Sequence, residues 1–230
     1  MPLHASRRSA IDAPWLSRSD SADATGHGEQ PNNPFAVLDS SAYLSSVLVR
    51  DEQHGDHDAV HAVHRAAFGS QGDVIARLVH DLRASLSSEA GVSLVAVDDQ
   101  GSVIGHALFT RNLLDTPQRL VDVQVLSPLG VRPDSQRRGI GGELVRHGIK
   151  KLAETDVPAV FLEGSPAYYS RLGFKPARDY SFRRPSLRIP SAAFQVYVLP
   201  AYAAWMTGTL VYRHEFWDHD CVGLRDDPLV

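Results

Sequence analysis

Gln136-Arg137-Arg138-Gly139-Ile140-Gly141-Gly142 decides the reading of this chain. The stretch follows an apolar extended run that ends at Val131-Arg132-Pro133, and it opens straight into a helical pattern. Ile140, Leu144, Ile149 and Leu152 fall on one face, while Glu143, Arg146, Lys150 and Glu154 face away, so a helix is expected from near Gly139 to about Glu154. Its first amide N–H groups have no intrahelical partner and lie at the positive end of the dipole, where they can hold an anion. Glycines at 139, 141 and 142 remove side chains that would keep a pyrophosphate from the backbone, and Arg137 and Arg138 add positive charge. The pattern predicts a nucleotide-like phosphate ligand.

Two common phosphate motifs fail on residues. A P-loop needs a Lys-Ser/Thr pair after the last glycine, and no Lys follows any of these glycines. A dinucleotide fingerprint needs a third Gly where Leu144 stands. The segment resembles instead the Gln/Arg-x-x-Gly-x-Gly/Ala signature of the GCN5-related N-acetyltransferases, whose loop binds the pyrophosphate of coenzyme A. Gln136, Arg137, Arg138, Gly139, Ile140, Gly141 and Gly142 are the cofactor-binding positions that this resemblance implies.

Two further stretches carry the same resemblance. Ala159-Val160-Phe161-Leu162-Glu163 reads as a short buried strand, and Pro166 can start a helical turn. Ala167-Tyr168-Tyr169-Ser170-Arg171-Leu172-Gly173-Phe174 then looks like the family's Tyr-x-Arg-Phe-Gly-Phe ending, with Leu172 in place of the first Phe. The family's tyrosine protonates the departing thiolate, and Tyr169 is the matching catalytic residue. A phenol is protonated at neutral pH, its unperturbed pKa being about 10. Upstream, Val121, Val123 and Val125 alternate with Asp122 and Gln124 before Ser127-Pro128 breaks the phase. A proline in a strand implies an edge or a bulge. In the family a bulge here splays the strand from its parallel neighbour and admits pantetheine, at positions matched by Leu129, Gly130 and Val131.

The resemblance spans roughly residues 46–200 and is nearest to bacterial uncharacterised acetyltransferases with a Pro-Ala-Tyr-Tyr-x-Arg-x-Gly-Phe segment. It implies an α/β (α+β) fold: a mixed, mostly antiparallel central sheet with a splayed parallel strand pair and flanking helices. The order of elements agrees. Residues 46–50 read as a strand, 58–68 and 73–84 as helices, 93–97 and 103–110 as a hairpin about Asp98-Asp99-Gln100-Gly101, 121–131 and 159–163 as strands, and 194–198 as another. The final thirty residues show no clear pattern.

With 230 residues and 43% apolar content the chain can bury one good core. Residues 1–42, rich in Ser, Asp, Ala, Pro and Asn, are expected to form a disordered tail ahead of a domain spanning 43–230. The net charge of −4 is shared between the two, which argues against a nucleic-acid partner. No apolar run approaches the roughly 18 residues of a membrane span, and no secretory signal is evident, so a cytoplasmic location is expected. The single Cys221 excludes an internal disulfide and a Cys-based zinc pattern, and no metal is expected. His57, His61 and His64 share one helical face, open to three readings: a metal pair, a lining of the acceptor site, or a solvated face.

The expected activity is transfer of an acetyl group from acetyl-CoA to a small-molecule or peptide amine by direct attack, in a monomer or homodimer. Backbone amides about Leu129–Val131 would polarise the thioester carbonyl. Glu163, at a strand end, could take the amine proton or be a solvated carboxylate. The competing reading is a non-catalytic acyl-CoA-binding module.

Overall fold

The computed structural model describes residues 47–84, 86 and 91–225; the expected tail at 1–42 lies outside them. Strands β1 (Leu48–Asp51), β2 (Val92–Val97), β3 (Val103–Asp115) and β4 (Leu120–Val131) run antiparallel in sequence order. Helices α1 (His57–Phe68) and α2 (Gly72–Ala84) are inserted between β1 and β2. Helix α3 (Ile140–Ala153) then crosses to β5 (Ala159–Glu163), which lies parallel to β4. After α4 (Pro166–Tyr169), β6 (Lys175–Pro176) and β7 (Phe182–Arg183), strand β8 (Phe194–Val198) pairs antiparallel with β5. Strand β9 (Gly208–Val211) and the short helix α5 (His214–Asp218) close the described chain.

Each face of this sheet is covered by a different part of the chain. Ile140, Leu144, Val145, Ile149 and Leu152 of α3 are buried against Leu94, Phe109, Leu126, Val160 and Phe174. Each such aliphatic side chain contributes about 1.5–3 kcal/mol of burial as an upper figure. On the opposite face Val60 and Val63 of α1 and Val79 of α2 pack on Val95 and Val103, while Leu78 and Leu82 join Val123, Val125 and Phe161.

Residues 201–225, patternless in sequence, add to this second layer. β3 outlasts β2, whose pairing begins at Val92↔Phe109, and β9 pairs with its extension at Leu113↔Val211, Leu114↔Leu210 and Asp115↔Thr209. The Arg213 N–H donates to the buried Asn112 Oδ1 at 2.9 Å, and Tyr212, Phe216 and Val222 enter the core. These are long-range contacts, which leave no periodic trace in so short a segment. Among the described residues no helix is long and apolar enough to cross a membrane.

Candidate active site

The loop that enters α3 contains two left-handed residues. Gly139 is the N-cap of α3 at φ 82°, a conformation open to glycine at no steric cost. Arg137 stands at φ 61°, uncommon for a side-chain-bearing residue and invisible in the sequence pattern. Backbone concavities that contain left-handed residues turn successive N–H groups to one side and favour anions. The first intrahelical bond is Glu143 N–H to Gly139 O at 3.1 Å, so the amides of Ile140, Gly141 and Gly142 have no acceptor within the helix. The Ile140 side chain is buried, leaving its amide as the group it can offer. Gln136 donates from Nε2 to Val131 O at 3.0 Å, which ties the loop back to the strand. Arg137 and Arg138 are exposed beside the helix start.

The strand before this loop parts from its parallel neighbour. β4 and β5 pair only at Gln124↔Val160 and Val125↔Phe161. Two residues, Ser127 and Pro128, then stand opposite Leu108 alone, because the register passes from Phe109↔Leu126 to Ala107↔Leu129. The bulge inverts the alternation. Val121, Val123 and Val125 face the α2 side, whereas Leu129 and Val131 pack toward α3. Gly130 faces α1, and a Cβ there would lie 2.8 Å from His64 Nδ1. Leu129, Gly130 and Val131 thus border the gap between β4 and β5, at its outer end.

Tyr169 ends α4 and is half-buried, its ring edge-on to Phe174 at 5.7 Å and to Tyr168 at 4.8 Å. Burial pushes its phenol well above the ordinary tyrosine value, so the hydroxyl is protonated at every physiological pH. The neighbouring Tyr168 Oη lies 2.7 Å from where a Gly141 Cβ would sit, so the paired tyrosines border the glycine-rich helix start. Glu163 is differently employed. Its carboxylate accepts from Tyr212 Oη at 2.8 Å and from the Gly223 N–H at 3.1 Å, clasping the C-terminal segment, and burial raises it to about 7.

The histidine stripe does not stay together as one surface. His61 is exposed and His57 half-buried, while His64 has no exposed surface and bonds His106 on β3 at 2.7 Å. The solvated-face reading therefore fails for His64. Its partner is distant in sequence, so helical spacing gave no sign of it.

Comparisons with known proteins agree with this geometry. Residues 49–177 match the acetyltransferase (GNAT) domain family. The uncharacterized N-acetyltransferase YhbS of Escherichia coli K12 is 35% identical over 173 residues, covering 74% of this chain and 98% of the relative. The crystal structure of Escherichia coli YhbS in complex with CoA aligns with a TM-score of 0.67 and 31% identity, over 83% of this chain and 96% of that one. A GNAT family acetyltransferase from Brucella melitensis in complex with acetyl-CoA aligns with a TM-score of 0.59 and 28% identity, over 75% of this chain and 99% of that one. The matched residues include the parted strands, the left-handed loop and the tyrosine, and the chain belongs to the GNAT acetyltransferases, a family of acyl-transferring enzymes.

Proposed function

We propose that the protein is an acetyl-CoA-dependent N-acetyltransferase that serves an amine acceptor by direct attack, with both substrates held at once. One observation carries the reading: the gap beside Leu129–Val131 runs directly into the left-handed loop and the free amides of α3. That arrangement fits a ligand with an extended amide-bearing arm and a diphosphate. The relatives solved with CoA and with acetyl-CoA support the choice.

The amides of Ile140, Gly141 and Gly142, with the guanidinium groups of Arg137 and Arg138, would hold the pyrophosphate. Backbone of Leu129, Gly130 and Val131 would pair with the pantetheine arm. When bound, acetyl-CoA supplies an acyl group activated as a thioester. A backbone N–H at the bulge then polarises the carbonyl oxygen as negative charge develops on it. Tyr169, held protonated, donates a hydrogen bond to the sulfur as the thiolate departs. A covalent route through the chain's cysteine is disfavoured, since burial pushes the Cys221 thiol up to about 11 and leaves little thiolate.

Calorimetry on two Gly139 variants tests this reading. Gly139→Asn keeps the left-handed turn accessible and should bind acetyl-CoA within a few-fold of the unaltered protein. Gly139→Glu adds a carboxylate where the pyrophosphate would lie and should bind at least about 100-fold more weakly with the fold intact. Equal affinity in the Glu variant would overturn the proposed site.

A further inference from the structure

Beneath the bulge, four elements contribute to one buried chain of polar groups. His64 from α1 bonds His106 of β3, Nε2 to Nδ1, at 2.7 Å. His106 Nε2 lies 2.9 Å from Ser93 Oγ on β2. The Ser93 hydroxyl donates to Glu52 Oε2 at 2.5 Å, just past the end of β1. Arg83 of α2 completes the chain, donating to Glu52 from Nη2 at 2.5 Å and from Nε at 3.3 Å. His64 and His106 are 0% exposed, so this polar track is built into the core.

The partners fix where every proton sits. Glu52 is a carboxylate: burial would raise it, but the nearby His106 and the hydrogen bonds from Arg83 and Ser93 outweigh that and hold it at about 2. Being an acceptor only, it takes the Ser93 hydroxyl proton, so Ser93 Oγ must accept from His106 Nε2–H. Burial keeps His106 neutral, which leaves its Nδ1 bare to accept from His64 Nε2–H. Burial, aided by His106 and Arg83 and by the exposed His61, also depresses His64 against the pull of Glu52. A neutral His64 that donates from Nε2 has a bare lone pair on Nδ1, and that atom has no hydrogen-bond partner.

An unpartnered buried nitrogen is costly, and this one is aimed at Gly130, between two residues proposed to pair with the pantetheine arm next to the bulge. Leu129 and Val131 turn toward α3, so on the α1 side the backbone of Gly130 is what covers the nitrogen. The glycine keeps the nitrogen free of any side chain from β4, since a Cβ at 130 would cap it at 2.8 Å.

We infer that His64 Nδ1 takes the proton from the attacking amine, and that His106, Ser93 and Glu52 are positioning residues that fix its tautomer; the inference rests on the acetyltransfer reading above. The amine lone pair forms the C–N bond to the acetyl carbon, and the C–S bond breaks with its electron pair on sulfur. The nitrogen turns cationic and strongly acidic as it bonds, so a weak, shielded imidazole is base enough to take its proton. The resulting imidazolium is stabilised through His106 and Ser93 by the Glu52 carboxylate, in the manner of the aspartate of a serine-protease triad. It returns its proton to solvent when the site opens, and the thiolate takes one from solvent, so the net products are amide and thiol.

Nitrogen-15 NMR of histidine-labelled protein reads the tautomer directly. His64 should carry its proton on Nε2 with Nδ1 bare; a proton on Nδ1 overturns the inference, whether or not any variant folds. Ser93→Ala should populate the other tautomer and lower kcat about tenfold, and Ser93→Thr, which keeps the hydroxyl, should restore both. His64→Gln keeps an N–H toward His106 but offers no base. It should bind acetyl-CoA within about threefold of the unaltered protein and lose about 100-fold in kcat/KM for the amine. Equal turnover in that variant, beside an unaltered protein that acetylates, overturns the role of His64 alone. An unaltered protein that binds acetyl-CoA yet acetylates no amine overturns the acetyltransfer reading itself.

Discussion

Gly130 and His64 face each other so closely that a single added methyl group on the strand would stand 2.8 Å from the imidazole Nδ1 and 3.0 Å from Cε1. The ring cannot swing aside freely, because its Nε2 is tied to His106 at 2.7 Å in a fully buried setting. Gly130→Ala should therefore destabilise the fold by about 1–3 kcal/mol through overpacking. Urea unfolding of the two proteins at one pH measures the difference. An unchanged midpoint would show that helix α1 can shift away from the sheet at no cost.

Tyr169→Phe removes one hydroxyl and little packing, since the ring stays edge-on to Phe174. On a confirmed acceptor, kcat should fall about 100-fold with acetyl-CoA affinity nearly unchanged. The loss should shrink with an acyl donor whose thiol leaves more readily, because a better leaving group needs less help from a donor. Full turnover in the Phe variant under chemistry-limited conditions would leave the tyrosine a packing residue.

Glu163 gives the fold a pH dependence of definite sign. The group titrates near 4.5 in the unfolded chain and at about 7 in the fold, so between those values the folded state binds the proton more tightly. Stability contributed by this group is full below about pH 4.5 and is lost as pH rises through 7, by roughly 3 kcal/mol. Glu163→Gln stays neutral and can donate to Tyr212 while accepting from the Gly223 N–H. The variant should melt higher than the unaltered protein at pH 8, and the gap should close toward pH 5. A lower melting temperature at pH 8 would show that the ionised carboxylate is the stabilising form.

Removal of residues 1–42 should change neither melting temperature nor acetyl-CoA affinity. The segment's composition offers too little apolar surface to offset the entropy of ordering it. A fall of several degrees, or a tenfold loss of affinity, would show that the segment docks on the domain.

Local pattern carried most of this architecture. The apolar stripe of α3 and its glycine entry placed that helix within a residue of its observed start, and β5 and β8 occupy the expected residues. β3 runs five residues past its expected end at Thr110, because Asn112 is buried and reads as polar although it bonds Thr110 O and Arg213 N–H. Motif residues of the candidate site were legible because their spacing is short. His106, Ser93 and Glu52 were not, since each owes its place to a partner on another element. Arg137 was legible as a charge but not as a left-handed residue, for arginine has no intrinsic bias toward that conformation.

The one extra residue at Ser127-Pro128 sets the parity of β4. Were one of these residues deleted, every position beyond it would change sides: Leu129 and Val131 would be driven against His64, and Gly130 would turn toward α3. The strand would still be apolar and still long enough to pair with β3. What it would lose is the separation of duties, one side of the sheet packing on α3 and the other leaving room for the His64 ring beneath Gly130. A change of one residue in length there would thus cost more chemistry than almost any substitution.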